Sequence, residues 1–393
     1  MKILVIHQVP YVKIDYRRGL DHDRHDVTYI GHSDRMADLP ADLRCQRIEL
    51  DPAEDIVAGV IARTSPTEGF GHLLALSEFG ILQAREVRRH LGLPGPSLAQ
   101  VEAVRDKVVM KQRLAGSGVR FPRFAAAPVD DRLPWTGRTV LKPRRGASSD
   151  GVSIHGSAAE ALVAYQKLDD GGDYQFEEFV DGALLHLDGL VSDGRLVDLA
   201  VSRYVNQPVD YADGLPLGSH QIALDERHRL VAEQVVSRLD IEAGCLHLEL
   251  FDTPDGELVF LEVANRMGGA GVLNAHLRHT GIHLPAHEIA IRLGLPRPAP
   301  DQPSGRYHGW LVFPGHHLIG TGHQITVPRP LRDHPCLDRL FTLPPDRALP
   351  DHITYHEWLA PVFIEASHHD EATLAAFLHE CASTITVDVG SPL

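Results

Sequence analysis

Chemistry in this chain begins with two glutamates. The runs Leu246-His247-Leu248-Glu249-Leu250-Phe251 and Leu258-Val259-Phe260-Leu261-Glu262-Val263 flank Thr253-Pro254-Asp255-Gly256. An Asp-Gly turn between two apolar strand-like runs is a hairpin signal. With the turn centred on Asp255-Gly256, Glu249 and Glu262 sit directly opposite each other. Opposed carboxylates lie roughly 5 Å apart and repel. Such a pair needs a shared proton, a neighbouring cationic side chain or a bound divalent cation. Apolar neighbours on both strands speak against a solvated hairpin face. We therefore read Glu249 and Glu262 as metal ligands, with magnesium first and manganese as an alternative. Magnesium favours one or two carboxylates together with substrate phosphates.

Residues just after the hairpin extend that reading. Asn265 can offer a carbonyl oxygen to the same cation, and Arg266 can set a planar guanidinium on phosphate or carboxylate oxygens. Gly268-Gly269-Ala270-Gly271 lets backbone approach a ligand closely. A second segment, Val140-Leu141-Lys142-Pro143, delivers a lysine from a strand into the loop Arg144-Arg145-Gly146-Ala147-Ser148-Ser149-Asp150-Gly151. Amides of such a loop, among them those of Gly146, Ser148, Ser149 and Gly151, can cradle phosphates while Lys142 acts as a point charge. The loop lacks GxxxxGK[ST] and is no Walker P-loop. A third segment, Arg105-Asp106-Lys107, places Lys107 at a helix start. In a fourth, Phe176-Glu177-Glu178-Phe179-Val180-Asp181-Gly182, a strand ends in a glycine turn whose backbone can bind an adenine edge.

These residues need a frame. Residues 2–6 read as a buried strand, 27–30 as a second, 56–61 as an apolar stretch of undecided type, and 73–91 as a helix ended by Gly92-Leu93-Pro94-Gly95-Pro96. Ser97-Leu98-Ala99-Gln100 has capping-box form, and Asp106 is a good N-cap for a helix running to Gly116 or Gly118. Strand-like segments follow at 139–142, 174–180, 184–191 and 196–204, with helical periodicity over 227–239. A Pro-rich stretch, 294–303, reads as a linker. After it come more short strands and a helix near 371–381. The pattern is α/β, then α+β, divided as 1–96, 97–300 and 301–393.

Composition narrows the class. At 393 residues with 43% hydrophobic content the chain can build two or three cores. A formal net charge of −15 argues against a nucleic-acid backbone as partner. No apolar run reaches the roughly 18 residues that span a bilayer. Cys45, Cys245, Cys336 and Cys381 form no CxxC pair, which fits a reducing compartment and a cytoplasmic location. Histidine pairs such as His316-His317 and His368-His369 show no HExxH spacing and read as solvated side chains.

The four segments in this order resemble the ATP-grasp superfamily, and within it the carboxylate–amine ligases, including bacterial L-amino acid ligases. Leu76-Ser77-Glu78-Phe79-Gly80 and Leu93-Pro94-Gly95-Pro96-Ser97 belong to the same match. The resemblance implies a Rossmann-like N-terminal domain, an ATP-grasp domain gripping ATP between two α+β lobes, and a C-terminal α+β subdomain. It implies that Lys107 and Lys142 contact ATP phosphates under the 146–151 loop, and that Glu177 or Glu178, Phe179 and the Val180 backbone hold adenine. It implies that Glu249 and Glu262 bind magnesium, and that Arg266 acts at the transferred phosphoryl group. Two positions depart from the pattern. Leu184 stands where the family often has a ribose-binding Glu. Ala264 stands where E-x-N-x-R has its Asn, and strand alternation turns Asn265 to the face opposite Glu262. The implied activity joins a small-molecule carboxylate to an amine through an acyl phosphate. Biotin- and purine-pathway carboxylases, kinases of the same fold and a non-catalytic nucleotide-binding protein are its rivals. His186 and Asp188 are candidates for the base that deprotonates the amine, Arg203 for holding a substrate carboxylate, and Gly268 and Gly269 for lining the substrate. The reading allows a homodimer.

Overall fold

The computed structural model describes residues 1–78, 80–168, 173–318 and 322–389; Phe79 of the Leu76–Gly80 motif lies outside them. The N-terminal quarter builds a parallel four-stranded sheet in the order Gln46–Leu50, Asp26–His32, Lys2–Ile6, His72–Ala75. One face is covered by the helices Ile56–Arg63 and Gly80–Leu91. Two expectations change here. The undecided stretch 56–61 is helix, capped by the Asp55 side chain on the Ala58 amide. The span 73–91 splits, because Leu73 and Leu74 pair with the first strand and only Gly80–Leu91 is helical. A four-residue apolar run does not distinguish strand from helix by period alone.

The second sheet has eight antiparallel strands. Its order is Leu258–Ala264, Gly244–Asp252, Ala183–Ser192, Arg195–Tyr204, Leu217–Ile222, Tyr307–Val312, Val362–His368, Leu337–Thr342. Strands from after the Pro-rich stretch thus extend the sheet that holds the glutamate hairpin. Helix Glu226–Arg238, opened by an Asp225 capping box, packs Ala232, Val235 and Val236 on Leu185, Leu187, Leu248, Leu250 and Phe260. On the other face, Leu190 and Cys245 meet helix Leu284–Leu293, which also packs against Ile3, Val5 and Tyr29 of the first sheet. One continuous core therefore fixes the first sheet relative to the second.

A smaller antiparallel sheet orders Phe124–Ala125, Tyr174–Glu178, Thr139–Pro143 and Ser153–His155. Its own core holds Trp135, Leu141 and Phe176 under helix Ala158–Tyr165. The cleft between this small sheet and the hairpin end of the large one encloses about 850 Å³.

Candidate active site: a cleft between two sheets

Glu249 and Glu262 are cross-strand partners, as the sequence predicts, but by a different route. The turn is a three-residue loop, with Gly256 at φ 80° and its N–H donating to the Thr253 carbonyl. That displaces the register near the turn by one, so Leu250 pairs with Phe260 and Asp252 with Leu258. A bulge at Leu261 restores it before the glutamates. The bulge also sorts the side chains. Phe260 and Val263 enter the core, while Leu261 and Glu262 line the cleft.

Each glutamate has a distinct set of partners. Glu262 accepts from Lys107 Nζ at 3.1 Å. Burial alone would raise its carboxyl, but the charges of Lys107 and Lys142 outweigh that and hold it at about 2. Glu249 Oε1 accepts from the Tyr204 hydroxyl at 2.8 Å and lies 3.6 Å from His247 Nε2. Two half-buried carboxylates side by side, with cations beyond them, are a donor set for a hard divalent ion.

Lys107 opens helix Lys107–Leu114 behind its N-cap Asp106, whose side chain accepts from the Val108 and Val109 amides. Asp106 also pairs with Arg144 at 2.7 Å, and Lys107 Nζ donates to the Gly146 carbonyl at 2.7 Å. The helix start and the glycine–serine loop are thus tied together. Within the loop Ser148 and Ser149 both lie at φ 58° and Gly151 at φ 68°. Left-handed serines cost on the order of 1 kcal/mol each. Gly146, Ser148 and Ser149 line the cleft; the strain lies in the segment proposed to wrap phosphates.

Lys142 reaches the cleft floor beside Glu177. Glu177 lines the cleft but is 2% exposed, and it bridges Lys142 at 2.9 Å and Lys111 at 2.5 Å. Burial would raise the Glu177 carboxyl, but the two lysines hold it below the ordinary range. Lys111, the surplus cation of this triad, is pushed down to about 8 by burial, which Glu177 only partly offsets. Glu178 is also engaged, accepting from Arg123 Nε at 2.5 Å. Beside these two acids the hinge offers an apolar surface to a flat base. Phe179, Val180 and Leu184 line the cleft with Val140, Ile154 and Leu261, and the Arg138 guanidinium stacks 3.6 Å from the Phe179 ring centroid.

Arg266 lies at the opposite end. Its Nε donates to Glu78 Oε2 at 2.7 Å and its Nη1 to the Met267 carbonyl at 2.8 Å. Glu78 also pairs with Arg105, so one carboxylate aligns two guanidiniums. Gly268 and Gly269 line the cleft beside Arg266.

Three further expectations are corrected. Asn265 is turned away from the carboxylates: its Nδ2 donates to the Ala243 and Cys245 carbonyls at 3.1 and 2.8 Å, as strand alternation requires. Arg203 pairs with Asp252 at 3.4 Å and does not line the cleft. His186 and Asp188 are buried behind the hairpin, with no cleft-lining surface. Asp188 accepts from His186 Nδ1 at 2.5 Å and from His247 Nδ1 at 2.8 Å. Burial would raise the Asp188 carboxyl, but the two imidazoles hold it far below the usual range. Burial would lower His247, yet Asp188 outweighs it and raises the imidazole to about 9. His186, Asp188 and His247 bring metal-ligand atom types within 4.8 Å of one another. Their hydrogen bonds to one another already account for the arrangement.

Several lining residues escaped the sequence reading. Tyr204 and Trp310 come from two other strands of the large sheet, Gln207 and Asp210 from a 3-10 turn, and 352–356 from a late loop whose Tyr355 hydroxyl donates to the Ser148 carbonyl at 3.3 Å. Lys111 had a signal, its i,i+4 spacing from Lys107 on one helix face.

No family model matches the chain. Over 221 residues it is 24% identical to an L-arginine-specific L-amino acid ligase of Bacillus subtilis, covering 52% of this chain and 53% of that protein. Over 186 residues it is 30% identical to an N5-carboxyaminoimidazole ribonucleotide synthase of Mycobacterium tuberculosis, covering 45% and 43%. The chain thus spans about half the length of the curated relatives it matches. The solved L-amino acid ligase from Bacillus licheniformis superposes over 99% of both chains with a TM-score of 0.74 at 21% identity. The chain therefore shares the fold of that ligase over its whole length, and the large sheet, the small sheet and the cleft between them form an ATP-grasp architecture.

Proposed function

We propose that the chain is an ATP-dependent ligase that joins a small-molecule carboxylate to an amine, with release of ADP and phosphate. One observation carries the reading: an opposed glutamate pair and two lysines converge on one cleft, with Lys107 already in contact with Glu262. In this reading ATP lies with its base at the 179–184 hinge and its phosphates under residues 146–151. Glu249 and Glu262 would hold magnesium, which would supply positive charge to offset that of the phosphates. Lys142 and Lys107 neutralise the phosphate chain. Arg266 faces the carboxylate that attacks the terminal phosphate and then stabilises the acyl phosphate. The amine displaces phosphate from that intermediate. The 146–151 loop and residues 352–356 exclude water while the acyl phosphate exists.

One relative is an L-amino acid ligase specific for L-arginine and the other an N5-carboxyaminoimidazole ribonucleotide synthase; both support an amino-acid or biosynthetic substrate class. We divide the chain into a Rossmann-like N-terminal domain to residue 96, an ATP-grasp domain to 300 and a C-terminal α+β subdomain. All four cysteines are unpaired and no described helix is long and apolar enough to cross a membrane; a cytoplasmic location fits this.

The test is ADP release across pairs of carboxylates and amines, with mass detection of product. Amide formation that disappears in Glu262→Ala is the expected result. ADP without amide would point to a kinase, dependence on bicarbonate to a carboxylase, and binding of ATP with no ADP across the whole panel to a regulatory protein.

A further inference from the structure

The central strand Ala183–Ser192 is buried along eight consecutive positions, where apolar residues are expected. Yet His186 and Asp188 occupy alternate positions on one face. Across the register His247 lies opposite Asp188, and Glu249 opposite His186. The four side chains therefore share one face of two adjacent strands. Two of their bonds converge on Asp188. Ser219 Oγ lies 2.8 Å from His186 Nε2, His186 Nδ1 donates to Asp188 Oδ2, His247 Nδ1 donates to Asp188 Oδ1, and His247 Nε2 faces Glu249 Oε1 at 3.6 Å. Tyr204 donates to that same oxygen. One oxygen of Glu249 is thus fixed by protein groups.

We propose that Asp188 is a positioning residue for Glu249. Acting through His247, it holds the carboxylate in the one rotamer that offers its other oxygen to the cation of a bound nucleotide. The proposal rests on the reading of Glu249 as a magnesium ligand. Two features favour it over a merely satisfied polar core. The chain of contacts ends, through the 3.6 Å ion pair of His247 with Glu249, on a cleft-facing carboxylate and not on another buried group. The same Asp188 also seats the opposite wall: a Cβ at Gly268 would lie 2.7 Å from Asp188 Oδ1, so the glycine turn that carries Arg266 rests directly on this carboxylate. One buried anion therefore fixes the relative placement of Glu249 and the Arg266 turn. Partners of this outer kind typically alter metal affinity about 10- to 100-fold when removed.

The experiment measures equilibrium binding of a non-hydrolysable ATP analogue as a function of magnesium concentration, by calorimetry, on the full chain. Asp188→Asn keeps volume but turns one acceptor into a donor facing an imidazole N–H. The magnesium needed for half-maximal binding is expected to rise about 10- to 100-fold, with metal-free nucleotide binding changed less than about twofold. Tyr204→Phe, which removes one hydroxyl only, is expected to shift the same midpoint in the same direction by a smaller factor; it carries the test if Asp188→Asn does not fold. Equal weakening with and without metal, or an unmoved midpoint in both variants, overturns the proposal. Glu249→Gln separates the two levels. If it too leaves the magnesium dependence unmoved, the metal-ligand reading itself fails; if it destroys that dependence while Asp188→Asn does not, only the positioning role fails.

Discussion

Glu177→Gln is the sharpest test of how the nucleotide lobe is held. Glu177 is the one anion between Lys111 and Lys142, at 2.5 and 2.9 Å. Lys111 is fully buried, and its remaining polar partner is the Lys107 carbonyl at 3.0 Å. The substitution preserves shape and removes the charge. Breaking a buried ion pair from one side costs ~3–5 kcal/mol, because the partner is left uncompensated. Both strands that carry the pair, Tyr174–Glu178 and Thr139–Pro143, hydrogen-bond to each other. Local opening should therefore become easier by on the order of 10²–10⁴-fold, at tenfold per ~1.4 kcal/mol. Hydrogen–deuterium exchange of peptides covering these strands reads that quantity without requiring the whole chain to unfold in one step. Peptides from the Lys2–Ile6 sheet serve as the internal control and should not change. Lys111→Met added to Glu177→Gln removes the stranded cation and is expected to recover most of the protection. Exchange within about threefold of the parent, or a double variant no better protected than the single one, would refute the argument that Glu177 is structural cement for the lysines.

Three further outcomes are expected from the geometry. His220 and His308 are both buried and held at about 4, by burial first and, for His308, by Arg278. The unfolded chain binds these protons near the ordinary 6.5, so their contribution is full above that pH and is lost as pH falls toward 4. Each should take ~2 kcal/mol of stability between pH 7 and 5, and melting curves of a His220→Gln/His308→Gln variant should show a flatter acid limb than the parent. Tyr355→Phe removes the hydroxyl that ties residues 352–356 to Ser148; at ~1 kcal/mol net the loop opens about fivefold more often, and the ratio of ADP released to amide formed should climb. Gly268→Ala puts a methyl 2.6 Å from Val272 Cγ1 and 2.7 Å from Asp188 Oδ1. Overpacking of ~1–3 kcal/mol should lift the Arg266 turn and lower ADP formation about tenfold, and an unchanged rate would show that this turn is not part of the site.

Much of the site could be read because its residues lie on regular elements with fixed periods. The glutamate pair follows from hairpin alternation. Even so, a longer turn and the Leu261 bulge are two departures that cancel at Glu249 and Glu262; either alone would have separated the pair. The same alternation places Asn265 on the far face, where it binds the Ala243 and Cys245 carbonyls. Glu177 is harder. Its strand neighbours Phe176 and Glu178 give no sign that Lys111, 66 positions earlier by sequence number, lies against it. The same limit explains Arg203, His186 and Asp188. A strand's period tells which residues share a face, but not whether that face meets a cleft or a helix. The late loop at 352–356 offers nothing local at all, since its place over Ser148 depends on the Val362–His368 strand joining the large sheet.

The charges in the cleft explain why cation and nucleotide should arrive together. Every basic group named for phosphate already has an acidic partner: Lys107 has Glu262, Lys142 has Glu177, and Arg266 has Glu78. The pairs differ in what holds them. Glu177 is enclosed and also bound by Lys111, and Glu78 also binds Arg105, so these two acids keep their places when a ligand enters. Glu262 is half-buried and has Lys107 as its one ion-pair partner among the described residues. It is the acid that can change partner at least cost. ATP alone would have to compete with Glu262 for Lys107. A magnesium-bound triphosphate would instead give Glu262 a cation at the moment its own phosphate takes Lys107, exchanging one neutral pairing for two. Under the proposed function the site is thus pre-paired to disfavour a metal-free nucleotide, and that preference would reside in a single ion pair at 3.1 Å.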